Sequence, residues 1–263
     1  MSTSTRLRLV SLLGPGHQLH LQHLVSHFEA NSSQLFENPS HLHWHIQHRQ
    51  LASGQAQGGF ICGLLGLHTP DLEFLAAPVP LDSRAEGKPV YFSEVIALRE
   101  RSLQAKHLHA AHWAYNDPTS LSGFAAPLKW LTSTGNFTGT WTPSGSHLQS
   151  MEWVLAGQVD VAAIDSQVLW WALQHNPEWK KHLCSLLTLG PYPAPPFVVH
   201  CSLPEHQKKD LLQGLLELHH TPQGQQVLSD AGFSHHQPVH KSQYHSLFAF
   251  QTPENLLLTE GAR

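Results

Sequence analysis

The stretch Trp113-Ala-Tyr-Asn-Asp-Pro-Thr-Ser-Leu-Ser-Gly-Phe124 decides how the rest of the chain is interpreted. Residues 111 to 115 predict a short buried strand, the Asn-Asp-Pro segment a turn, and the residues after it a helix N-terminus. Such a unit forms an anion cradle, because free N–H groups, hydroxyls and the positive end of the helix dipole converge there. Gly123 has no Cβ and would let a ligand or a neighbouring backbone approach closely. An ordinary cap by Ser120 or Ser122 without a ligand explains the same residues, and local sequence alone favours it.

Composition limits the possible functions. The chain has 263 residues, which is enough for two lobes, and a formal charge of −4 with few Lys and Arg residues. This charge gives no electrostatic footprint for nucleic acid or an anionic membrane, and no stretch is apolar enough to span a bilayer. The 23 histidines make the chain histidine-rich, so it gains positive charge between about pH 7 and 5.

The first ten residues lack the apolar core and cleavage site of a secretory signal peptide. We therefore expect a cytoplasmic protein, or a periplasmic one if a leader was removed from the chain. The three cysteines, Cys62, Cys184 and Cys201, have neither a pairing pattern nor metal-type spacing. They are interpreted as buried free thiols in a reducing compartment.

Predicted strands and helices alternate along the chain, which favours an α/β fold. Strands are predicted at residues 7–13, 42–48, 59–64, 72–79, 111–115, 157–164 and 183–189, with longer extended runs at 89–98 and 197–203. Helices are predicted at residues 17–29, 124–131, 148–155, 166–174, 205–219 and 222–230, followed by a tail without strong strands.

The two extended runs divide the chain into two α/β blocks. We expect lobe 1 to comprise residues 1–95 plus 198–263 and lobe 2, inserted between them, to comprise residues 96–197. A chain that leaves one lobe, builds another and returns forms a two-strand hinge. Ligand sites tend to lie in the cleft between such lobes.

Six stretches, in this order and spacing, resemble one family. They are Phe60–Gly63, Tyr91–Ile96, Trp113–Gly123, Gly145–His147, Gly157–Ser166 and Gly190–Pro196. The chain resembles the phosphate/phosphonate-binding substrate-binding proteins of ABC transporters, which have the type II periplasmic-binding-protein fold. The resemblance covers nearly the whole chain and is specific for the family more than for the ligand.

The resemblance implies which residues hold the ligand's phospho group. In the family these are a tyrosine on the first crossing strand, a Ser-x-Ser helix start and a histidine, which match Tyr91, Ser120 with Ser122, and His147. The backbone N–H groups of Leu121, Ser122 and Gly123 would complete the cradle. Taken singly, Tyr91 is more often a core residue and His147 more often a cap or surface residue.

Two positions depart from the family pattern. Leu121 replaces the middle hydroxyl of the usual Ser-Thr-Ser, although its N–H group remains. Aminophosphonate binders also place a carboxylate near the end of the 157–164 strand, where this chain has Gln167, and Asp165 is the only nearby substitute. Phosphate, phosphite or another small oxyanion therefore fits better than an aminoalkylphosphonate. Neither residues 119–123 nor 145–147 include Lys or Arg, which indicates modest selectivity.

A cluster of histidines could bind a metal, but a solvent-exposed strand is the favoured interpretation. His41, His43 and His45 alternate along the predicted strand at 42–48 and would share one face. No Cys, Asp or Glu lies among them to complete a site, so neither a metal nor another cofactor is predicted.

Three functions remain open. The first is a solute-binding or sensing protein that closes its lobes on a small oxyanion. The others are an enzyme of cofactor biosynthesis on the same fold and an interaction domain that has lost its ligand. No nucleophile–base pair, metal motif or nucleotide loop supports the enzyme. Expected partners are a small oxyanion and either an ABC-transporter permease or a signalling protein, with the chain acting as a monomer.

Overall fold

The computed structural model describes residues 6–31 and 34–250, which form two compact units. Unit 1 extends to Val90 and resumes from Pro193 to Ser246, whereas unit 2 comprises Tyr91–Tyr192 together with residues 247–250. Each boundary falls slightly before the one expected from sequence, and residues 247–250 group with unit 2. The division into lobes at residues 95/96 and 197/198 stays a prediction.

Strands and helices alternate over the described chain. The strands are β1 (Leu7–Ser11), β2 (Phe36–Glu37), β3 (Gly58–Phe60), β4 (Leu72–Pro80), β5 (Val90–Leu98), β6 (His112–Tyr115), β7 (Thr140–Pro143), β8 (Val161–Asp165), β9 (Leu183–Pro193), β10 (Phe197–His200) and β11 (Phe233–Pro238). The α-helices are α1 (Pro15–Asn31), α2 (Trp44–Ala52), α3 (Gly63–His68), α4 (Ala126–Thr134), α5 (His147–Leu155), α6 (Ser166–His175), α7 (Trp179–His182), α8 (Glu205–Glu217) and α9 (Pro222–Asp230).

Unit 1 is built on a six-stranded sheet with the order β11-β4-β10-β3-β1-β2. β1 runs parallel to β2 and β3, while β10 is antiparallel to both β3 and β4. Helices α1, α8 and α9 cover a core in which Leu21, Leu24 and Leu215 pack with Phe60 and Phe197. The helical spacing of Leu21, Leu24 and Phe28 turns one face of α1 toward this core.

Unit 2 is built on a five-stranded sheet with the order β7-β6-β8-β5-β9. β6 runs parallel to β7 and β8, whereas β5 is antiparallel to β8. All five residues of β8 are buried, as expected for a central strand covered on both faces. Helices α5 and α6 supply Met151, Val154 and Val168 to the core on one face. The mixed α/β class predicted from sequence is confirmed.

Three predictions of local structure are wrong. Residues 42–48 do not form a strand, because helix α2 begins at Trp44. His43 caps this helix, and its Nδ1 atom accepts a hydrogen bond from the His45 N–H. His41, His43 and His45 therefore do not share the face of a strand. The predicted strand at 59–64 ends at Phe60 and α3 follows, and the tail contains β11, which pairs with β4.

None of the helices within residues 6–31 and 34–250 combines the length and apolar character needed to cross a membrane.

Candidate functional site

The site predicted from sequence lies at one edge of the second sheet. Since β6, β7 and β8 are parallel, their carboxyl ends meet at the same edge. Asn116 follows β6, Ser144 follows β7 and leads to His147, and Asp165 ends β8. Open α/β sheets bind ligands at this edge, where loops and helix N-termini converge.

Tyr91 reaches the same edge from the opposite direction. In the antiparallel β5–β8 pair, Ser93 lies opposite Asp165, the last residue of β8. Tyr91 therefore extends two residues beyond the end of β8, on the same face of β5 as Ser93. Its side chain is buried, and its ring packs edge-to-face against Tyr192 with centroids 6.2 Å apart.

The turn after β6 caps a helix, as the simpler interpretation of the sequence required. The Ser120 hydroxyl oxygen accepts a hydrogen bond from the Gly123 N–H at 3.1 Å. Residues Leu121–Ala125 form one turn of π-helix, in which the Ala125 N–H donates to the Ser120 carbonyl at 3.0 Å. π-Turns within helices are frequent at functional sites. The Leu121 side chain is fully buried and anchors the turn. Leu121 can therefore contact a ligand only through its backbone N–H group.

Ser122 links the turn to two other elements. Its carbonyl accepts a hydrogen bond from the Ser93 hydroxyl at 2.7 Å, which ties the turn to β5. Its own hydroxyl lies 3.5 Å from the Nε2 atom of His147 at the start of α5. The structure thus brings together three segments that the sequence could only group by resemblance.

Gly123 occupies a position where no larger residue fits. A Cβ built on Gly123 would lie 1.7 Å from Oδ1 of Asn116 and 3.0 Å from Cε1 of His147. The Asn116 amide and the His147 ring are therefore within about 5 Å of each other on the same side of the turn. This close approach is the physical reason for a glycine at this position.

His147 is neutral at physiological pH. Burial lowers the pKa of His147 to about 4, and an interaction with the Ala163 backbone opposes this shift only in part. One ring nitrogen of a neutral imidazole donates and the other accepts, so His147 can hydrogen-bond an anion without bringing a charge.

Asp165 caps α6 at the same edge. Its Oδ1 accepts from the Gln167 N–H at 2.7 Å and from the Val168 N–H at 3.4 Å. Burial raises the pKa of Asp165 to about 6 despite these two hydrogen bonds, which favour the ionised form. The Oε1 atom of Gln167 is shielded from solvent and has no hydrogen-bond partner within the described chain.

We expect Asp165→Asn to stabilise the fold at pH 8. The raised pKa makes ionised Asp165 costly; the cost is absent below the unfolded value of 3.8 and complete above about pH 6. At full size, ionised Asp165 destabilises the fold by about 3 kcal/mol. The substitution also removes the attraction between the charge and the N-terminus of α6, which lowers the gain by less than about 1 kcal/mol. Because Asn caps helices as well as Asp, the free energy of unfolding in urea should rise by about 2 kcal/mol at pH 8. An equal gain at pH 3.5 would contradict this origin.

The predicted residues fall into two groups. Ser120, Ser122, Gly123 and His147 are joined by direct contacts through the turn. Tyr91, Asp165 and Gln167 lie at the same sheet edge, with the register of β5 and β8 placing them there. The assignment of all these residues, with Leu121, to ligand binding stays a prediction.

Sequence reasoning missed three residues of this region. Ser93 fixes the Ser122 carbonyl, the Ser166 hydroxyl accepts from the Phe92 N–H at 3.1 Å, and the Asn116 amide contacts Gly123. The pairing of Ser93 with Asp165 depends on strand register, which no local pattern specifies. Asn116, however, directly follows a predicted strand, and this placement was a usable signal.

Within residues 6–31 and 34–250, no group of three or more His, Cys, Asp or Glu side chains is arranged to hold a metal ion. The cysteines are not the fully buried thiols that the sequence predicted, because Cys62 and Cys184 are partly exposed and Cys201 is exposed.

Comparisons with known proteins identify the family of the chain. The family described as "ABC transporter, phosphonate, periplasmic substrate-binding protein" matches residues 20–244. No curated protein sequence matches the chain.

Solved structures share the fold at low sequence identity. A binding-protein component of an ABC phosphonate transporter from Pseudomonas aeruginosa is 16% identical, with a TM-score of 0.80 over 93% of this chain and 85% of its own. PhnD1 from Prochlorococcus marinus, in complex with methylphosphonate, is 14% identical, with a TM-score of 0.80 over 94% of this chain and 97% of its own. A Xanthomonas citri protein bound to ATP is 16% identical, with a TM-score of 0.69 over 94% and 95%. The type II periplasmic-binding-protein fold predicted from sequence is confirmed.

Proposed function

Because the chain belongs to the phosphonate family of periplasmic substrate-binding proteins of ABC transporters, we propose that it binds a small phosphorus oxyanion at the carboxyl edge of the second sheet. The observation that carries the proposal is the convergence of the Ser120–Gly123 turn with His147, at 3.5 Å between Ser122 and the imidazole. A plain helix cap requires Ser120 alone and gives no reason for His147 or for the close packing around Gly123.

Each element has a distinct part in holding the anion. The N–H groups at the start of the π-turn and the dipole of the following helix attract negative charge. The Ser120 hydroxyl can donate while still accepting from the Gly123 N–H, and the Ser122 hydroxyl has a proton of its own to donate. His147, at the first position of α5, adds a neutral donor and a second helix N-terminus. Tyr91 provides a phenolic donor from β5.

The ligand proposed is phosphate, phosphite or a simple alkylphosphonate. Methylphosphonate is the ligand of PhnD1 in the solved complex, and it carries no ammonium group. Gln167 is neutral where aminophosphonate binders are expected to place a carboxylate, and one oxygen of Asp165 is already engaged as the cap of α6. The site therefore favours a ligand without a positive charge.

A ligand panel tests the proposal. We expect phosphate, phosphite and methylphosphonate to raise the melting temperature and to give saturable heats by calorimetry, whereas 2-aminoethylphosphonate binds more weakly. A ligand at a hundred times its Kd stabilises the native state by about 2.7 kcal/mol. Combining Ser120→Ala with Ser122→Ala should abolish the response. Ser133→Ala, on the exposed end of α4, is the matched control.

The proposal fails if none of these ligands binds at millimolar concentration. It also fails if the Ser120 and Ser122 double variant binds as well as the control does, because the anion would then be held elsewhere.

The family implies a transporter permease as the partner and a periplasmic location for its members. We propose that this chain delivers its ligand to a permease, acts as a monomer and performs no catalysis. Light scattering with and without methylphosphonate tests the monomer.

The cytoplasmic location expected from the N-terminal sequence stays a prediction, which cell fractionation tests.

A further inference from the structure

Asn116 is placed to take part in recognition. It directly follows β6 at the carboxyl edge of the second sheet. Its Oδ1 lies against Gly123 on the side that faces His147, as the 1.7 Å and 3.0 Å distances to a built Cβ require. The amide therefore lies near the imidazole and against the turn that carries the two hydroxyls of the proposed anion cradle.

The carbonyl oxygen of this amide is an unused acceptor. Oδ1 of Asn116 is shielded from solvent and has no hydrogen-bond partner in the described chain. Leaving such an acceptor unpaired is costly, so native structures normally pair it. The Oε1 atom of Gln167 at the same edge is in the same condition, in a side chain that is only 7% exposed.

Unpaired acceptors are unexpected in a site for a fully deprotonated anion. The oxygens of sulfate or of a phosphonate dianion only accept hydrogen bonds, so they cannot satisfy a carbonyl oxygen. A singly protonated oxyanion differs because its P–OH group donates one hydrogen bond. The local charge also favours fewer negative charges, since Asp165 contributes a carboxylate and residues 119–123 and 145–147 contain no Lys or Arg.

The geometry points to Asn116 as a specificity residue whose Oδ1 accepts a hydrogen bond from the P–OH group of a singly protonated oxyanion. This inference rests on the proposed function and narrows its ligand to a proton-bearing form. Sulfate, which has no proton at neutral pH, leaves Oδ1 unpaired and is rejected.

The expected pH dependence follows from the ligand. Above the second pKa of methylphosphonate the protonated form falls tenfold per pH unit, so the apparent Kd should rise tenfold per unit. The titratable groups at the same edge of the sheet are His147 from α5, Asp165 from β8, Asp117 in the turn and Tyr91 from β5. Burial lowers the pKa of His147 to about 4 and raises the pKa of Asp165 to about 6, so neither changes charge above pH 8.

The experiment measures Kd by calorimetry for methylphosphonate and sulfate between pH 6.5 and 9.5, in the full chain and three variants. Asn116→Ala removes the acceptor, and Asn116→Asp keeps an acceptor but removes the NH₂ donor. Asn176→Ala, at the end of α6 in the same unit, is the matched control. Thermal melting of each variant establishes that it is folded.

We expect Asn116→Ala to weaken methylphosphonate binding about tenfold at pH 6.5 and to flatten the rise of Kd with pH. Discrimination against sulfate should fall with it. Asn116→Asp should keep both the steep pH dependence and the rejection of sulfate, and Asn176→Ala should behave as the wild type does.

Two results would overturn the inference while leaving the proposed function intact. One is an unchanged pH dependence and sulfate discrimination in Asn116→Ala. The other is a loss of methylphosphonate binding in Asn116→Asp with a normal pH dependence in Asn116→Ala, which would mean that the amide donates through its NH₂ group. Failure of the wild type to bind any phosphorus oxyanion would instead contradict the proposed function.

Discussion

Gly123→Ala should abolish oxyanion binding while leaving most of the fold intact. The new methyl group would lie 1.7 Å from Oδ1 and 2.9 Å from Cγ of Asn116, and 3.0 Å from Cε1 of His147. Relief of this overlap requires the amide, the turn or the imidazole to move by about 1 Å or more, because real Cβ contacts begin beyond about 3 Å. We expect Kd for methylphosphonate to rise at least about 100-fold and the free energy of unfolding to fall by about 1–3 kcal/mol.

Gly135→Ala is the matched control. A Cβ on Gly135 would also meet a ring, at 2.9 Å from Nε2 of His109, but that histidine is partly exposed and can turn away. Calorimetry and urea unfolding of both variants separate loss of the site from loss of the fold. Tight binding by Gly123→Ala would show that the ligand does not depend on the turn.

Acid should begin to destabilise the protein at a pH well above the usual pKa of its carboxylates. Unit 1 buries His17, His20 and His236 around the rings of Phe60 and Phe233. The Nε2 atoms of His20 and His236 lie 3.3 Å apart, and the Nε2 atom of His17 has no hydrogen-bond partner in the described chain. None of these groups can accept a proton without placing a charge in an apolar core.

The lowered pKa values of these histidines determine how the free energy of unfolding changes with pH. Burial lowers the pKa of His17 to about 4 and that of His236 to about 3, and burial together with the neighbouring His236 lowers the pKa of His20 as well. Their contribution to stability is complete above the unfolded value of 6.5 and is lost as pH falls toward 4 and 3. His17 alone accounts for about 3 kcal/mol, a large share of a typical stability of about 5–15 kcal/mol. Asp165 acts in the opposite direction but is a single group.

His17→Leu tests this assignment. We expect the loss of unfolding free energy between pH 7.5 and 4.5, measured in urea by tryptophan fluorescence, to be about 2–3 kcal/mol smaller than in the wild type. His206→Leu, on the exposed face of α8, should leave the pH dependence unchanged. Equal slopes for the two variants would exclude His17 as the source.

Long elements with one clear period were predictable, and short ones were not. The apolar spacing of α1 and the valine, isoleucine and aromatic residues of β5 specify their structure locally. The alternation of His41, His43 and His45 was misleading, because the buried residues of this segment, Gln47 and Leu51, are four apart and indicate a helix. β11 has a weak sequence, Phe-Ser-His-His-Gln-Pro, and forms because β4 offers it a hydrogen-bonding edge.

The candidate site was predictable as a set of residues but not as a geometry. A hydroxyl-rich turn after a strand indicates Ser120 and Ser122 directly, and His147 begins a helix as predicted. The π-turn and the contact between Asn116 and Gly123 depend on packing between segments distant in sequence. The unpaired acceptors of Asn116 and Gln167 can be identified only from a structure that gives the positions of all neighbouring hydrogen-bond donors.

The position of β10 in the first sheet has a consequence for how the protein is synthesised. β10 lies between β3 and β4 and is made after the whole of residues 91–192, so this sheet lacks a central strand while the second sheet is already complete. Co-translational folding should therefore begin with residues 91–192, the middle part of the chain. Until β10 is made, the edges of β3 and β4 that it later pairs with lack a partner. Chaperones that cover exposed strands would bind there.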